Sequence, residues 1–140
     1  MAKPVVEVRL SAARGDYAVR VVRAAAQEWL RTLGYGEVSL SIVPDGEMRQ
    51  LNRRFRGKDK PTDVLSFPLQ EGRRHLGDVV ISLDTARRQA AEGGWPLSVE
   101  LRRLLAHGLL HCAGHDHETP RDAQRMQRAE RRLLGARGMV

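Results

Sequence analysis

Four of the five histidines lie between His107 and His117, and their spacing is that of metal ligands. His107 and His111 are four residues apart on a predicted helix, so their imidazoles lie on one face, one turn apart. Two ring nitrogens placed in this way can bind one metal ion at about 2.0–2.1 Å. Gly114 follows the predicted helix and can reverse the chain, which returns His117 toward the first two histidines. The spacing predicts one Zn²⁺ ion bound by His107, His111 and His117.

This ligand set is typical of a catalytic site, because three ligands leave the fourth tetrahedral position open to water. The spacing His-x3-His-x2-Gly-x2-His matches the ligand positions of the metzincin signature, a shared geometry that we do not interpret as kinship. In metalloproteases, a Glu directly after the first His acts as the general base, whereas this chain has Gly108 there. We therefore expect a metal-dependent hydrolase that is not a protease.

Three side chains beside the predicted ligands have open roles. A metal-bound water could lose its proton through the effect of zinc on its pKa, or Asp116 could take that proton. Asp116 could instead orient a ligating imidazole, and this role is favoured. His115 lies in the same turn, and we expect it to lie beside the metal because three ligands are already supplied. Cys112 could be a soft ligand, although such a Cys is more often a small buried apolar group.

The chain is basic, with 24 Lys and Arg residues against 17 acidic residues and a formal net charge of +7. This balance favours polyanions such as nucleic acid, and the planar guanidinium of Arg suits phosphate. The charge is concentrated in one segment that contains Arg49, Arg53, Arg54, Arg56, Lys58 and Lys60. Aromatic residues make up only 4% of the chain, so we expect charge and shape to dominate over base stacking.

Hydrophobic periodicity predicts interspersed strands and helices, and therefore a small α/β sheet with helices packed on it. We find no repeat and no linker, so residues 1–140 are expected to form one domain. The predicted strands are Val5–Leu10, Glu37–Val43, Asp63–Phe67 and Leu76–Leu83. The predicted helices are Tyr17–Leu33, a segment from Asp45 to about Arg56, a segment from Asp84 to Gly93-Gly94, a segment from Pro96 to about Ala113, and a segment from Thr119-Pro120 to about Leu134. Asp45, Asp84 and Thr119 are predicted caps of the helices that they precede.

A cytoplasmic location is expected. Met1–Leu10 lacks the apolar stretch of a secretory signal, and no apolar run is long enough to cross a bilayer. The single Cys112 cannot form an internal disulfide, which agrees with a reducing compartment. We expect no membrane partner, and the sequence identifies no protein partner.

Two long blocks resemble the YbeY family of bacterial endoribonucleases. One is His107-Gly-Leu-Leu-His111-Cys-Ala-Gly-His-Asp-His117, which is similar to the family motif His-Gly-x-Leu-His-x-x-Gly-x-Asp-His. The other is Asn52-Arg-Arg-Phe-Arg56-Gly-Lys-Asp-Lys-Pro-Thr-Asp-Val-Leu-Ser-Phe-Pro68, which is similar to the basic loop and following strand of the family. Leu76-Gly-Asp-Val-Val-Ile-Ser82 also fits the next strand of the family, and the resemblance covers essentially the whole chain.

The resemblance implies a mixed four-stranded sheet with surrounding helices and a zinc site of three histidines. It also implies cleavage of single-stranded RNA, 3′-end maturation of small-subunit ribosomal RNA and a part in ribosome quality control. Arg56 matches a family arginine that is important for activity. The chain has His115 and Phe55 where Tyr is common in the family, and Cys112 where Leu is common.

The resulting hypothesis is zinc-dependent hydrolysis of an RNA phosphodiester, in which Arg56 stabilises the charge on the phosphoryl oxygens. Arg53, Arg54, Lys58 and Lys60 would bind the RNA backbone without reading sequence, or they simply form a solvated face. Attack by water and attack by the neighbouring 2′-hydroxyl both remain open. One alternative is a non-catalytic RNA-binding or ribosome assembly factor that zinc stiffens. Another is a metallohydrolase of small molecules or peptides, which the missing Glu and the basicity disfavour.

Overall fold

A computed structural model describes residues 3–69 and 74–135, so the ends of the predicted 1–140 domain and residues 70–73 lie outside the described residues. Four strands form one sheet: β1 (Val5–Leu10), β2 (Glu37–Val43), β3 (Val64–Pro68) and β4 (His75–Ser82). The strand order is β1-β2-β4-β3; β2 is parallel to both β1 and β4, and β3 is antiparallel to β4. The predicted mixed four-stranded α/β sheet is confirmed.

Five helices lie among the described residues, and one of them is central. They are α1 (Asp16–Leu33), α2 (Asp45–Arg56), α3 (Leu83–Gly93), α4 (Leu97–Cys112) and α5 (Pro120–Leu134). Helix α4 contacts β3, β4, α1, α3 and α5, so the helix that carries the first two histidines lies in the middle of the core. Within the described ranges, no helix is both long enough and apolar enough to span a bilayer.

The two faces of the sheet are covered unequally. The predicted alternation of β2 is confirmed: Val38, Leu40 and Ile42 are buried in the main core, while the serines between them are partly exposed. The opposite face carries a smaller cluster of buried residues, in which Met48 of α2 packs beside residues of the sheet. The buried members of this cluster are Val43, Met48, Leu65 and Val80. Helix α2 therefore covers one part of the sheet face that is opposite the main core, and this face buries fewer apolar residues than the other.

The capping roles predicted for Asp45 and Asp84 are wrong, because each carboxylate acts at the start of the other helix. The Asp84 carboxylate accepts the backbone N–H of Asp45 at 2.8 Å. The Asp45 carboxylate accepts the hydroxyls of Ser82 at 2.6 Å and Thr85 at 2.7 Å. Pro44 occupies the N-cap position of α2 and Ser82 that of α3. The exchange arises because the two helix starts lie side by side, and each favours negative charge.

The prediction for α5 is confirmed, because the Thr119 hydroxyl accepts the backbone N–H of Asp122 at 3.1 Å. Pro120 is the first residue of this helix, where its missing N–H costs no hydrogen bond. The start of α5 is therefore determined locally by the sequence that precedes it.

Helix α4 packs closely against the sheet at Gly108. A Cβ atom added to Gly108 would lie 2.6 Å from Val79 Cγ1 on β4. It would also lie 3.3 Å from Ser66 Oγ and from Val64 Cγ2, both on β3. These distances leave no room for a side chain, so the α4 backbone lies directly on the sheet at the position that follows His107.

We predict that Gly108→Ala destabilises the protein relative to Gly46→Ala. Gly46 lies in α2 with nothing within 4 Å of an added Cβ, so both variants gain helix propensity and only Gly108→Ala is overpacked. The difference in free energy of unfolding should be about 1–3 kcal/mol, measured by urea denaturation. Equal changes in the two variants would show that α4 can move off the sheet without cost.

Candidate metal centre

The structure brings His107, His111 and His117 together. The Nε2 atoms of His107 and His111 are 3.0 Å apart, and their ring centroids are 4.5 Å apart. The ring of His117 lies 5.9 Å from that of His107 and 5.3 Å from that of His111, measured between centroids. One nitrogen from each imidazole lies within 4.8 Å of the other two. The three histidines are thus positioned to bind one metal ion.

The end of α4 produces this arrangement through its backbone hydrogen bonds. Gly114 has a φ of +102°, a conformation that favours glycine, and the chain reverses there. The N–H of Gly114 donates to the carbonyl of His111 at 3.1 Å, and the N–H of His115 donates to that of Leu110 at 2.9 Å. Carbonyls at the helix end are therefore satisfied while the chain turns back, which places His117 beside the helical pair.

The donor set fits a divalent transition metal. Two ligands on a tetrahedral zinc ion with bonds of 2.0–2.1 Å lie about 3.4 Å apart, close to the spacing of the two helical nitrogens. Burial, and then the neighbouring His107 and His117, lower the pKa of His111 below its usual range. The neutral imidazole, which is the form that binds metal, is therefore favoured. Three imidazoles suit zinc and also copper, iron or nickel.

Cys112 lies outside the group of metal-binding nitrogens. Its buried Sγ faces the carbonyl of Asp78 on β4 at 3.8 Å. Burial raises the pKa of this thiol to about 12, so it stays protonated near neutral pH and is a poor metal ligand. Cys112 fills space between α4 and the sheet, which agrees with the apolar role weighed from the sequence.

His115 and Asp116 line the cleft in front of the centre, and neither belongs to the group of three. Among the described residues, the hydrogen bond of the Asp116 carboxylate is with the backbone N–H of Glu118, at 3.2 Å. This contact supports the turn that leads to His117. Both residues thus lie beside the centre, and the role of Asp116 in orienting a ligating imidazole stays a prediction.

Glu130 is a neighbour of the centre that the sequence analysis missed. Its Oε1 lies 3.8 Å from Nδ1 of His107, on the opposite side of the ring from the Nε2 atom that faces His111. At 3.8 Å the pair is longer than a hydrogen bond, so the carboxylate acts on the ring through its negative charge, which favours a metal cation on the far side of the imidazole. No motif links the two residues; only the packing of α5 on α4 brings them together.

Arg56 lines the same cleft as His107 and His111, a space of about 760 Å³ between the end of α2, β3 and the end of α4. Its guanidinium donates to the carbonyl of Ser66 on β3 at 2.9 Å. Its Cζ lies 5.7 Å from the ring centroid of Phe67. Arg56 is thus held at the cleft by a strand that also contacts α4.

The other clustered cations surround α2 and the loop that follows it. Arg53 and Arg54 line a second groove together with Arg9, Glu47 and Leu51. Lys58 and Lys60 are exposed on the loop, which is fastened to α2 because the buried Asn52 side chain donates to the carbonyl of Lys60 at 2.8 Å. Arg49 pairs with Asp59 of the loop through two contacts of 2.8 and 3.1 Å.

Several known proteins with similar sequences carry the same description. A family model described as Endoribonuclease YbeY matches residues 7–138. The chain is 52% identical over 143 residues to Endoribonuclease YbeY of Myxococcus xanthus (strain DK1622), covering 96% of this chain and 49% of that protein. It is 51% identical over 140 residues to Endoribonuclease YbeY of Anaeromyxobacter sp. (strain Fw109-5), covering 95% of this chain and 73% of that protein. The chain therefore spans about half the length of the Myxococcus relative.

A solved structure shows the same fold. The solution structure of a protein from Thermotoga maritima matches with a TM-score of 0.62 and 26% sequence identity. The match covers 94% of this chain and 90% of that one, so it includes nearly all the elements described above.

We predict that Glu130→Gln lowers metal affinity about tenfold, the low end of the range for a carboxylate beside a metal ligand, because the negative charge near the His107 ring is lost. Affinity is measured by competition with a chelator of known strength. The matched control is Glu92→Gln, which removes the same charge from an exposed position on α3 and should leave affinity unchanged. Equal affinities in the two variants would exclude a role for Glu130 at the centre.

Proposed function

Because this chain belongs to the YbeY family of endoribonucleases, we propose that it is a zinc-dependent endoribonuclease that hydrolyses phosphodiester bonds of single-stranded RNA. The observation that carries the proposal is the shared cleft, which brings Arg56 and the histidine centre to one solvent-accessible space. A metal centre and a fixed guanidinium are the usual means of stabilising charge during phosphoryl transfer.

Each part of the cleft has a distinct task in this proposal. His107, His111 and His117 hold the metal ion, which when bound supplies Lewis acidity and lowers the pKa of a coordinated water. Arg56 uses one guanidinium nitrogen on the Ser66 carbonyl, which orients the group and leaves other donors for phosphate oxygens. A guanidinium already held in place loses little freedom when the phosphate arrives.

Two carboxylates line the cleft, and neither stands directly after His107, where metalloproteases have their general base. Asp63 and Asp116 both line the cleft. Asp63 accepts the backbone N–H of Val64 at 2.8 Å, which orients its carboxylate at the start of β3. Either carboxylate is a candidate to take a proton from an attacking water or from a 2′-hydroxyl. The two routes differ in their products, because only attack by the 2′-hydroxyl leaves a cyclic phosphate.

On the basis of its family, we further propose that the substrate of this chain is ribosomal RNA. The expected roles are 3′-end maturation of small-subunit ribosomal RNA and ribosome quality control in the cytoplasm. Arg53, Arg54, Lys58 and Lys60 are proposed to bind the RNA backbone, and all four are exposed. Their arrangement around α2 and its loop would guide a strand toward the cleft.

The test is cleavage of an end-labelled single-stranded RNA by the purified protein. We predict cleavage that a chelator abolishes and added Zn²⁺ restores. His111→Ala should be inactive, whereas the matched control His115→Ala removes a histidine of the same cleft that is not a ligand and should stay active. Mass analysis of the new ends then identifies the attacking group. Absence of cleavage by folded, metal-loaded protein would favour a non-catalytic RNA-binding assembly factor.

We predict that Arg56→Ala lowers the cleavage rate about 10²- to 10³-fold, because a donor aimed at developing charge is lost. Metal content, measured by atomic absorption, should stay unchanged, since Arg56 is not a ligand. The control Lys58→Ala removes a nearby exposed cation and should weaken RNA binding with little effect on the rate at saturation. A rate unchanged in Arg56→Ala would remove this residue from the mechanism.

A further inference from the structure

Both phenylalanines of the chain lie in one row of stacked groups beside the cleft. The rings of Phe55 and Phe67 meet edge to face, with centroids 5.2 Å apart. The Cζ atom of Arg54 lies 5.2 Å from the Phe55 centroid, and that of Arg56 lies 5.7 Å from the Phe67 centroid. The order of contacts is therefore Arg54, Phe55, Phe67 and Arg56, and the row ends at the proposed catalytic cleft.

The two rings differ in burial, and this difference assigns them different tasks. Phe67 is partly buried and packs against the smaller core cluster under α2. Phe55 is 51% exposed at the last turn of α2. A single exposed aromatic residue is unremarkable in itself. This one, however, directly precedes Arg56, so its Cα lies about 3.8 Å from that of the arginine.

We propose that Phe55, together with Arg54, is a stacking subsite for one unpaired base of the RNA. This inference rests on the proposed function, because it places the base in a nucleotide next to the phosphate that Arg56 contacts. The Arg54 guanidinium lies over one part of the Phe55 ring, and about half of the side chain stays exposed. Any base can stack on the exposed part, since every base has a π face. The Arg54 guanidinium also carries charge for the adjacent phosphate.

The subsite gives a physical reason for a preference for single strands. A base within a duplex is stacked and paired, so it cannot reach Phe55 without the cost of leaving the helix. An unpaired base needs no pairs to be broken, so the free energy needed to bring it onto the ring is much smaller. The low aromatic content predicts little stacking overall, but the two phenylalanines are placed where one stacked base would position the strand.

The test measures binding of a fluorescently labelled single-stranded RNA by anisotropy, with chelator present so that the strand stays intact. Phe55→Leu should bind about tenfold more weakly, within the range found for loss of one base–aromatic stack. Phe55→Tyr keeps an aromatic ring and should bind RNA as tightly as the unmodified protein. The salt dependence should keep its slope in Phe55→Leu and lose about one unit in Arg54→Ala, because only the second change removes a phosphate contact.

The matched control is Tyr17→Leu, which removes another half-exposed aromatic ring with a guanidinium nearby. Tyr17 is 48% exposed, and Arg20 Cζ lies 5.8 Å from its centroid on α1, outside the residues that line the cleft. This variant should bind RNA as the unmodified protein does. Comparable weakening in Tyr17→Leu and Phe55→Leu would overturn the subsite, as would unchanged binding in Phe55→Leu.

A single abasic nucleotide, moved stepwise along the RNA, locates the stacked base. One position should weaken binding to the unmodified protein about tenfold and cause no further loss in Phe55→Leu, since both changes remove the same stack. Additive losses at every position would overturn the subsite. Because these measurements need no cleavage, an inactive protein that meets them would refute the proposed function and leave the subsite standing.

Discussion

The close contact of α4 with the sheet at Gly108 sets the geometry of the whole site. Ser66 of β3 lies at this contact and also accepts the hydrogen bond of Arg56 through its carbonyl. The distance of α4 from the sheet therefore determines the positions of His107 and His111. Ser66 determines the position of the Arg56 guanidinium. A side chain at position 108 would force helix and strand apart and change both halves of the cleft together.

The same contact limits the chemistry. In zinc proteases the residue after the first histidine is a glutamate that takes a proton from water. Here that position faces the packed interface between α4 and the sheet, where even a Cβ would lie 2.6 Å from Val79. A general base from the protein could therefore come only from another part of the chain; Asp63 and Asp116 line the cleft from the start of a strand and from a turn. The ligand spacing of one enzyme class thus occurs here without its catalytic neighbour.

Features that depend on nearby residues were predictable from the sequence, and features that depend on packing were not. The approach of His107, His111 and His117 follows from a helical spacing and a glycine turn, and the Thr119 cap follows from the residues beside it. The crossed roles of Asp45 and Asp84 involve residues 39 positions apart, so no local pattern reveals them. The contact of Glu130 with His107 likewise depends on how α5 packs against α4.

The carboxylates of Asp45 and Asp84 couple the unfolding of α2 to that of α3. The Asp84 carboxylate satisfies the start of α2, while the Asp45 carboxylate holds the hydroxyls of Ser82 and Thr85 at the start of α3. If either helix start opens, the partner loses hydrogen bonds to a charged group, each worth about 1.5–3 kcal/mol. The two helices are therefore expected to open as one cooperative unit, and slow amide exchange at the head of α2 would require an intact α3.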